Sequence, residues 1–414
     1  MRDILPPESA LWNRIEKASR EIFTAYNYQE IRTPLVEPTE LFARGVGQDT
    51  DIVTKEMYSF DDRDGQSLTL RPEATASVVR SYIEHRMWER PGVKKFYYIG
   101  PMFRRERPQK GRYRQFYQIG AEAIGSESPA VDAELLEMLI ELFGRLGLTG
   151  YSLFLNSVGC ANCRLKYLDA LRTELSKVRG ELCADCQRRS ETNPLRVLDC
   201  KVPEDQPIIE QLPTILDLLC ADCRAHFERV QGYLRERVIP FTLRPRLVRG
   251  LDYYTRTTFE IVHGALGAQD SLLGGGRYDG LSEMLGGPAA PGIGFSIGED
   301  RFALALSQLA ESESAAAGSP LFIIWLGENA FRCAANLARE LRARNVAVEL
   351  LADAVKLKKA LELASRLGVR HALLIGDQEL AEGKYPLRDM SQGTQTTVTK
   401  EELFEQFAGK GAKE

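Results

Sequence analysis

The stretch FRRERPQKGRYRQFYQIGAE, residues 103–122, decides the fold. Its first half places six arginines and lysines within eleven residues, around one proline and one glycine. Its second half alternates in the way that a half-buried β-strand does. The pattern predicts a charged hairpin loop between two strands, the second of which covers 115–124.

The charges of this loop suit a phosphate ligand, because guanidinium groups are permanently charged and bind phosphate oxygens through paired hydrogen bonds. A solvated loop or a nonspecific nucleic-acid surface is the alternative interpretation. The strand that follows favours a ligand site, since Gln118, Gly120 and Glu122 share one face just beyond the loop. Cations at one end and an amide and a carboxylate at the other suit a ligand that carries phosphates and an ammonium.

The surrounding sequence predicts an α+β fold. Apolar residues recur at helical spacing over 8–27, and further helices are predicted at 73–88 and 129–147. Several short strands adjoin one another, so an antiparallel sheet flanked by helices fits better than repeated βαβ units. The other strands of this part are predicted at 28–31, 57–60, 67–70 and 95–99.

Changes of composition along the chain predict five parts. A helical, charge-rich segment holds seven of the eight cysteines and lies between two strand-rich blocks, as an inserted domain does. A small polar segment then predicts a linker, and a βαβαβ alternation after it predicts a separate domain with a parallel sheet. The predicted boundaries are 1–159 and 241–310 for the strand-rich domain, 160–240 for the insertion, 311–318 for the linker and 319–414 for the C-terminal α/β domain.

Overall composition excludes several classes of protein. Hydrophobic residues make up 44% and charged residues 27% of the 414 residues, which is typical of globular domains and not of collagen-like, mucin-like or disordered chains. The net charge of −4 means that any nucleic-acid partner must be bound by a local basic surface. No apolar run approaches the roughly 20 residues of a membrane span, and the N-terminus lacks a signal-peptide pattern. A cytoplasmic protein without membrane contact is predicted.

The cysteines predict metal ligands or reduced thiols, because a long chain without an export signal is not built on disulfides. Two Cys-x-x-Cys pairs suffice for a structural tetrahedral zinc site, and the insertion has three; buried free thiols are the alternative. None of the four histidines has a convincing catalytic arrangement. The pairs are Cys160 with Cys163, Cys183 with Cys186, and Cys220 with Cys223; Cys200 stands alone, and Cys333 is predicted in the C-terminal core.

Several motifs together resemble one enzyme family. Residues 103–122 closely resemble motif 2 of class II aminoacyl-tRNA synthetases, in the version typical of histidyl-tRNA synthetases. The resemblance extends from about residue 3 to about residue 410, and the motifs follow the family's order. The other matching segments are TLRPEAT (69–75), similar to the amino-acid-binding segment; LVRGLDYY (247–254), similar to the histidine signature; LGGGRYDG (273–280), similar to the strand that lines the histidine pocket; Pro34, similar to the motif 1 proline; and 292–301, similar to motif 3.

The resemblance implies an ATP site. Arg104 and Arg301 match the two class-defining arginines, which bind the α- and γ-phosphates; Arg301 also stacks on adenine opposite Phe116. Arg249 matches an arginine that approaches the α-phosphate, where a fixed cation would stabilise charge that develops on phosphorus. The implied catalytic residues are Arg249, Arg104 and Gln118, and the further nucleotide contacts are Glu106 and Arg112.

The resemblance also implies a histidine pocket. Glu122 and Tyr254 match the residues at the imidazole end, with Tyr253 nearby and Arg249 also against the substrate. A carboxylate and a phenol can satisfy both ring nitrogens, so a side chain without them would leave buried groups unpaired and be rejected. The residues that match the pocket of the α-ammonium are Glu73, Thr75 and Gln118.

The implied activity is ATP-dependent ligation of L-histidine to histidine tRNA through a histidyl-adenylate, with Mg²⁺ accompanying ATP. Pro34 implies a homodimer, and the C-terminal domain would bind the anticodon. The main alternative is a non-catalytic paralogue that senses histidine for its biosynthesis; such relatives lack the C-terminal domain. A third interpretation is a stand-alone ligase that passes an adenylated amino acid to another acceptor.

Overall fold

The structure is a computed structural model. It describes residues 1–47, 50–107, 111–198, 200–248, 251–267, 270–309 and 321–408. The chain divides into two compact units, Met1–Ser312 and Glu313–Glu414, which are described separately. Among the described residues, no helix combines the length and the apolar character that crossing a bilayer needs.

An eight-stranded sheet forms the centre of the first unit. Its strand order is β1-β5-β6-β11-β10-β9-β7-β8; the six inner strands are antiparallel, and the two edge strands pair in parallel with their neighbours. A separate sheet has the order β2-β4-β3. The strands are β1 (Gln29–Glu30), β2 (Val36–Pro38), β3 (Tyr58–Asp61), β4 (Ser67–Leu70), β5 (Lys94–Phe103), β6 (Gln115–Ile124), β7 (Tyr151–Ser157), β8 (Thr242–Leu243), β9 (Thr255–His263), β10 (Ser271–Arg277) and β11 (Gly292–Gly298).

Helices cover one face of the large sheet and complete its core. Side chains of the first, fourth and tenth helices pack with the apolar sheet residues in one buried cluster. The fourth helix begins where the Ser128 hydroxyl accepts from the Ala130 N–H and ends at Gly147, which has a left-handed conformation. The helices are α1 (Glu8–Ala25), α2 (Thr39–Val46), α3 (Thr75–Glu84), α4 (Pro129–Leu146), α5 (Ala161–Val178), α6 (Ala184–Thr192), α7 (Gln206–Ile209), α8 (Ala221–Glu236), α9 (Leu281–Met284) and α10 (Glu299–Leu309).

The cysteine-rich segment is helical, as predicted. Helices α5, α6 and α7 and the short turns between them enclose a small core of their own, which includes Tyr167 and Leu171. Helix α8 instead joins the main core through Phe227, Val230 and Leu234. Helix α8, the last helix of the cysteine-rich segment, therefore connects this segment to the sheet domain. Residues 241–248 begin the second part of the predicted strand-rich domain, and they form only the two-residue strand β8.

The second unit confirms the predicted βαβαβ alternation and extends it. Strands β12, β13 and β14 are parallel, in the order β13-β12-β14. Two further strands, β15 and β16, continue the sheet antiparallel, so the sheet is mixed and not purely parallel as the alternation suggested. The elements are β12 (Leu321–Trp325), α11 (Glu328–Arg342), β13 (Val348–Leu350), α12 (Leu357–Arg366), β14 (His371–Ile375), α13 (Asp377–Glu382), β15 (Tyr385–Asp389), β16 (Gln395–Val398) and α14 (Lys400–Ala408).

Candidate functional site

A cavity of about 250 Å³ opens at the charged hairpin of the large sheet. Strands β5 and β6 pair from Lys94 with Ile124 to Phe103 with Gln115, which sets the charged loop at one end of the sheet. Arg249 lies outside the described residues. Ten of the eleven other predicted ligand residues line the cavity, and Glu122 is the exception. The ten are Glu73, Thr75, Arg104, Glu106, Arg112, Phe116, Gln118, Tyr253, Tyr254 and Arg301.

One end of the cavity is cationic. The Arg104 Nε donates to the Pro72 carbonyl at 3.0 Å, and its guanidinium lies 5.4 Å from the centre of the Phe116 ring. Arg112 pairs with Glu106 at 3.2 Å. Burial, and then the nearby charge of Arg112, lowers the pKa of Arg301. Several guanidinium groups held this close create a positive potential that favours an anion.

Backbone conformation favours one glycine beside the cavity, and a close approach requires another. Gly111 has φ +74°, which side chains rarely adopt, and a Cβ there would lie 3.3 Å from the Arg301 Cγ near the start of α10. At Gly294 on β11, a Cβ would overlap the Glu122 carboxylate. The glycine-rich strands therefore bring the backbone within reach of the charged groups.

The other end of the cavity contains a buried carboxylate on the wall. The Glu73 oxygens accept from the N–H groups of Thr75 and Ala76 at 3.1 and 2.8 Å, at the start of α3. The Tyr253 hydroxyl donates to the same carboxylate at 3.4 Å. Burial raises the pKa of Glu73. A buried carboxylate that faces a cavity is suited to bind an ammonium group.

Glu122 lies behind the wall, with no exposed surface. Its Oε1 accepts from the Thr75 hydroxyl at 2.7 Å, and its Oε2 accepts from the Tyr278 hydroxyl at 2.6 Å. The Tyr98 hydroxyl is 3.5 Å from Oε1. Burial raises the pKa of Glu122 to about 8. In this structure the carboxylate therefore orients hydroxyl groups of the wall and is not among the residues that line the cavity, and its contact with an imidazole stays a prediction.

Several residues of the cavity wall were not predicted from the sequence. Tyr278 stands in the glycine-rich run 273–280, which was interpreted for its glycines alone. Tyr98 alternates on β5 with Tyr97, which points into the core, and this alternation was a usable signal. Glu56 reaches the cavity from a π-helical turn, Ile52–Glu56, that no sequence pattern indicated.

Arg2 braces the part of the site that holds Arg301. The Arg2 guanidinium binds the Asp300 Oδ1 at 2.9 Å, and the Tyr117 N–H donates to the Asp300 Oδ2 at 3.3 Å. Arg2 also lies 4.9 Å from the centre of the Tyr113 ring in the charged loop. The N-terminal segment thus links the loop to the first turn of α10.

Glu299, next to Asp300, is a buried carboxyl group with no visible ligand role. It has no exposed surface, and neither oxygen has a hydrogen-bond partner among the residues that the structure describes. Burial, followed by the nearby charges of Glu16 and Asp300, raises its pKa to about 9, and the charge of Arg20 opposes this rise. The carboxyl is therefore protonated in the folded state at neutral pH.

Replacing Glu299 with glutamine is expected to stabilise the chain, increasingly so as the pH rises. The folded-state pKa lies above the unfolded value, so the wild type loses stability as the pH climbs from about 4.5 through about 9. The gain from Glu299→Gln should grow by about 2–3 kcal/mol between about pH 6 and about pH 8. Urea unfolding at both pH values measures it, with Glu141→Gln, at an exposed position of α4, as the control. A gain that is equal at both pH values would contradict this account.

A buried ionic network connects the insertion to the sheet behind the cavity. Arg277, which directly precedes Tyr278, has no exposed surface and donates to the Asp132 Oδ1 at 2.5 Å. The His226 Nε2 lies 3.0 Å from the other Asp132 oxygen. Asp132 lies on α4, His226 on α8 and Arg277 on β10, so one carboxylate connects three elements.

The cysteines of the insertion form two separate clusters. All eight cysteines of the chain are free thiols. Within each cluster, the candidate ligand atoms lie within 4.8 Å of one another. The three predicted pairs are thus divided between two sites, and the second site adds Cys200 and an aspartate. The first cluster is Cys160, Cys163, Cys220 and Cys223; the second is Cys183, Cys186, Cys200 and Asp205.

An antiparallel sheet that carries a cationic hairpin loop opposite a carboxylate pocket defines the catalytic domain of a class II aminoacyl-tRNA synthetase. A family model described as histidyl-tRNA synthetase matches residues 1–301, and one described as an anticodon binding domain matches 321–410. The chain belongs to the histidyl-tRNA synthetase family. The resemblance inferred from the motifs is thereby confirmed.

Individual relatives agree with the family model along nearly the whole chain. The chain is 61% identical over 403 residues to a protein named histidine–tRNA ligase from Solibacter usitatus, covering 97% of this chain and 96% of the relative. It is 54% identical to the protein of the same name from Koribacter versatilis, covering 100% and 96%. The crystal structure of apo histidyl-tRNA synthetase from S. aureus is similar with a TM-score of 0.81 and 41% identity, covering 99% of this chain and 98% of that one.

Proposed function

We propose that this chain ligates L-histidine to histidine tRNA with ATP, in the cytoplasm. The observation that carries the proposal is the single cavity with guanidinium groups at one end and a buried carboxylate at the other. Adenylation of an amino acid brings together a polyphosphate and an ammonium, and these two ends match the two charges. Membership of the histidyl-tRNA synthetase family supports histidine as the amino acid.

The reaction has two steps. A histidine carboxylate oxygen attacks the α-phosphorus of ATP, the bond to the β-phosphate oxygen breaks, and pyrophosphate leaves. A terminal ribose hydroxyl of the tRNA then attacks the acyl carbon of histidyl-adenylate, and AMP leaves. Arg104 and Arg249 act on the α-phosphate and Arg301 on the γ-phosphate, so charge that develops on phosphate oxygens is met by fixed cations.

The remaining nucleotide contacts come from the charged loop. Phe116 and the Arg301 plane hold adenine between them, and Glu106 and Arg112 contact the nucleotide. Mg²⁺ bound to ATP supplies charge neutralisation of the β- and γ-phosphates. Glu56 and Glu106 both line the cavity and offer the oxygen ligands that Mg²⁺ prefers, so the residues present fit the metal.

Gln118 and Glu73 receive the α-ammonium of histidine, together with Thr75. The Gln118 Oε1 is buried and has no hydrogen-bond partner within the described part of the chain. An ammonium donor would satisfy this oxygen, which is otherwise costly to bury. Among the described residues that line the cavity, none stands out as a dedicated general base for the second step; a phosphate oxygen of the adenylate, or Gln118 with an ordered water, takes the ribose proton.

The imidazole lies against Tyr253, Tyr254 and Tyr278, with Glu122 behind them. Glu122 keeps its role at the imidazole end, but it exerts this role by fixing the hydroxyl groups of Thr75 and Tyr278. Oriented hydroxyl groups in a buried wall distinguish a ring with one donor and one acceptor from an apolar side chain of similar size.

Tyr278→Phe is therefore expected to weaken histidine binding. It removes the hydroxyl that donates to Glu122 at 2.6 Å and leaves a buried carboxyl oxygen without this partner, which corresponds to about a 10- to 100-fold rise in KM for histidine. Histidine-dependent pyrophosphate exchange measures the change. Tyr97→Phe removes a hydroxyl from the same sheet on its core side and should leave KM unchanged. An unchanged KM in Tyr278→Phe would exclude this role.

The predicted C-terminal domain, 319–414, recognises the tRNA anticodon. Support comes from its match to an anticodon binding domain and from its own hydrophobic core.

The chain acts as a homodimer through the region of Pro34. Zinc bound by the cysteine pairs of residues 160–240 stabilises the insertion. None of these cysteines lines the cavity, so zinc bound there would have a structural role and no part in the chemistry.

Aminoacylation of histidine tRNA by the full chain tests the proposed function. Deleting 319–414 should abolish charging at low tRNA concentration while histidine-dependent pyrophosphate exchange persists. Charging that survives the deletion would overturn the role of this unit. Adenylation without tRNA charging by the full chain would favour the stand-alone ligase, and histidine binding without exchange would favour the regulatory paralogue.

A further inference from the structure

We infer that the insertion binds two separate zinc ions and that Cys183, Cys186, Cys200 and Asp205 hold the second one. This inference rests on the proposal that the cysteine pairs bind zinc, and it adds the number of ions and the ligands of the second site. Sequence spacing indicated three equivalent cysteine pairs and gave no sign of the aspartate. The folded chain instead divides them between a four-cysteine cluster and a cluster of three cysteines with one carboxylate.

The size of each cluster fits one tetrahedral ion. A zinc–sulfur bond of about 2.3 Å in a tetrahedron places neighbouring sulfurs about 3.8 Å apart. The Sγ atoms of Cys160 and Cys163 are 3.6 Å apart, and those of Cys183 and Cys200 are 3.9 Å apart. Both clusters therefore already have the spacing of a mononuclear site, whereas an iron–sulfur cube needs thiolates spread around its own bulk.

Asp205 provides a second observation that points to a cation. It is 1% exposed, and no lysine, arginine or histidine forms an ion pair with it within the described ranges. A buried carboxylate without a counter-charge is costly, and a divalent ion bound beside it would supply that charge. Its Oδ1 accepts from the Cys183 N–H at 2.9 Å, which fixes the carboxylate with Oδ2 3.2 Å from the Cys200 Sγ.

Backbone donors support thiolates in both clusters. The Cys220 N–H donates to the Cys163 Sγ at 3.1 Å, and the Val202 N–H donates to the Cys200 Sγ at 3.4 Å. Backbone N–H groups that donate to metal-binding thiolates orient them and stabilise their charge. The first cysteine of each pair also immediately precedes a helix, namely α5, α6 or α8. The amino end of a helix favours a negative charge there.

The two ions would stabilise different parts of the insertion. The first site joins the starts of α5 and α8, and α8 reaches the main core. The second site joins the start of α6 to the turn Pro203–Asp205. The core of the segment is small and contains several of the cysteines themselves. A core of this size commonly needs a metal for stability.

Zinc content of the full chain, purified without chelators, tests the inference. We expect two zinc ions per chain in the wild type and one in Asp205→Asn and in Cys200→Ser. Asp205→Asn keeps an acceptor for the Cys183 N–H, so a purely structural role of the carboxylate would leave the zinc content at two. Asp205→Cys, which provides a different zinc ligand at the same position, should contain two zinc ions per chain like the wild type. The matched controls are Asp185→Asn, an exposed carboxylate of α6, and Cys333→Ser in the other unit, and both should keep two.

One zinc in the wild type would overturn the second site and leave the zinc proposal standing, whereas none would overturn both. Two zinc ions in Asp205→Asn would exclude the aspartate as a ligand. Should the variants fail to fold, Co²⁺ titration of the metal-free wild type decides. We expect two equivalents of Co²⁺ to bind. The thiolate charge-transfer absorption added at the four-cysteine site should exceed that added at the three-cysteine site in a ratio near 4:3. Binding of a single equivalent would contradict the inference. Pyrophosphate exchange on the same samples reports the enzymatic proposal independently.

Discussion

Replacing Arg104 with lysine lowers the kcat of histidine-dependent pyrophosphate exchange by about 10²–10³-fold, because one preorganised donor to a developing anion contributes that much. The Arg104 guanidinium is fixed by the Pro72 carbonyl and by the Phe116 ring, so its other N–H groups have a defined direction. Lysine keeps the charge but provides neither the flat stacking surface nor the paired donors. The defect should therefore lie mainly in kcat, and less in the KM for histidine.

Arg105→Lys is the matched control for this prediction. Arg105 is the next residue of the same loop, but it is exposed and does not line the cavity. The same substitution there should change exchange by less than about twofold, since surface charges contribute little. Equal activity in the two variants would contradict the position of Arg104 on the α-phosphate.

Replacing Arg277 with methionine is expected to destabilise the first unit by about 3–5 kcal/mol, because it leaves a buried carboxylate without its main cation. Asp132 and Arg277 both have no exposed side-chain surface, and the pair is 2.5 Å apart. The double variant Arg277→Met with Asp132→Leu removes both charges and should recover most of the loss. Urea unfolding of the single and double variants measures these differences.

Arg145→Met is the control for the buried pair. Arg145 also extends from α4 and pairs with Glu21 on α1 at 2.7 Å, but the two side chains are 50% and 47% exposed. Such a pair contributes about 0–1 kcal/mol. A loss in Arg277→Met no larger than that in Arg145→Met would show that burial does not determine the strength of this network.

Much of the sheet and of the helices around it could be predicted from local signals. Strand 115–124 was predicted with the bounds that the structure shows, because its alternation is strict and turn residues flank it. The helix Pro129–Leu146 was predicted to within a residue, since a serine cap and a terminal glycine mark its ends. The small strands β15 and β16 were missed, because their short polar segments carry little periodicity.

Residues of the site could be predicted only where they belong to a motif of the family. Arg104 and Arg301 are nearly 200 positions apart in the sequence. Only the resemblance to the family predicted that they share one site. Glu122 was predicted at the imidazole end from the resemblance, and this stays a prediction; its full burial behind the wall could not be foreseen, since strand alternation gives the face of a side chain but not its depth. Asp205 could not be found, because its approach to Cys200 depends on how a loop closes in three dimensions.

Exchange of labelled pyrophosphate into ATP, with each of the twenty amino acids in turn and no tRNA, tests the central claim most directly. The cavity is expected to support exchange with histidine and to reject the other amino acids by a factor of about 10⁴, since only an imidazole pairs with its buried hydroxyl groups. Exchange with no amino acid, or with another amino acid as efficiently as with histidine, would contradict the assignment of the two ends of the cavity.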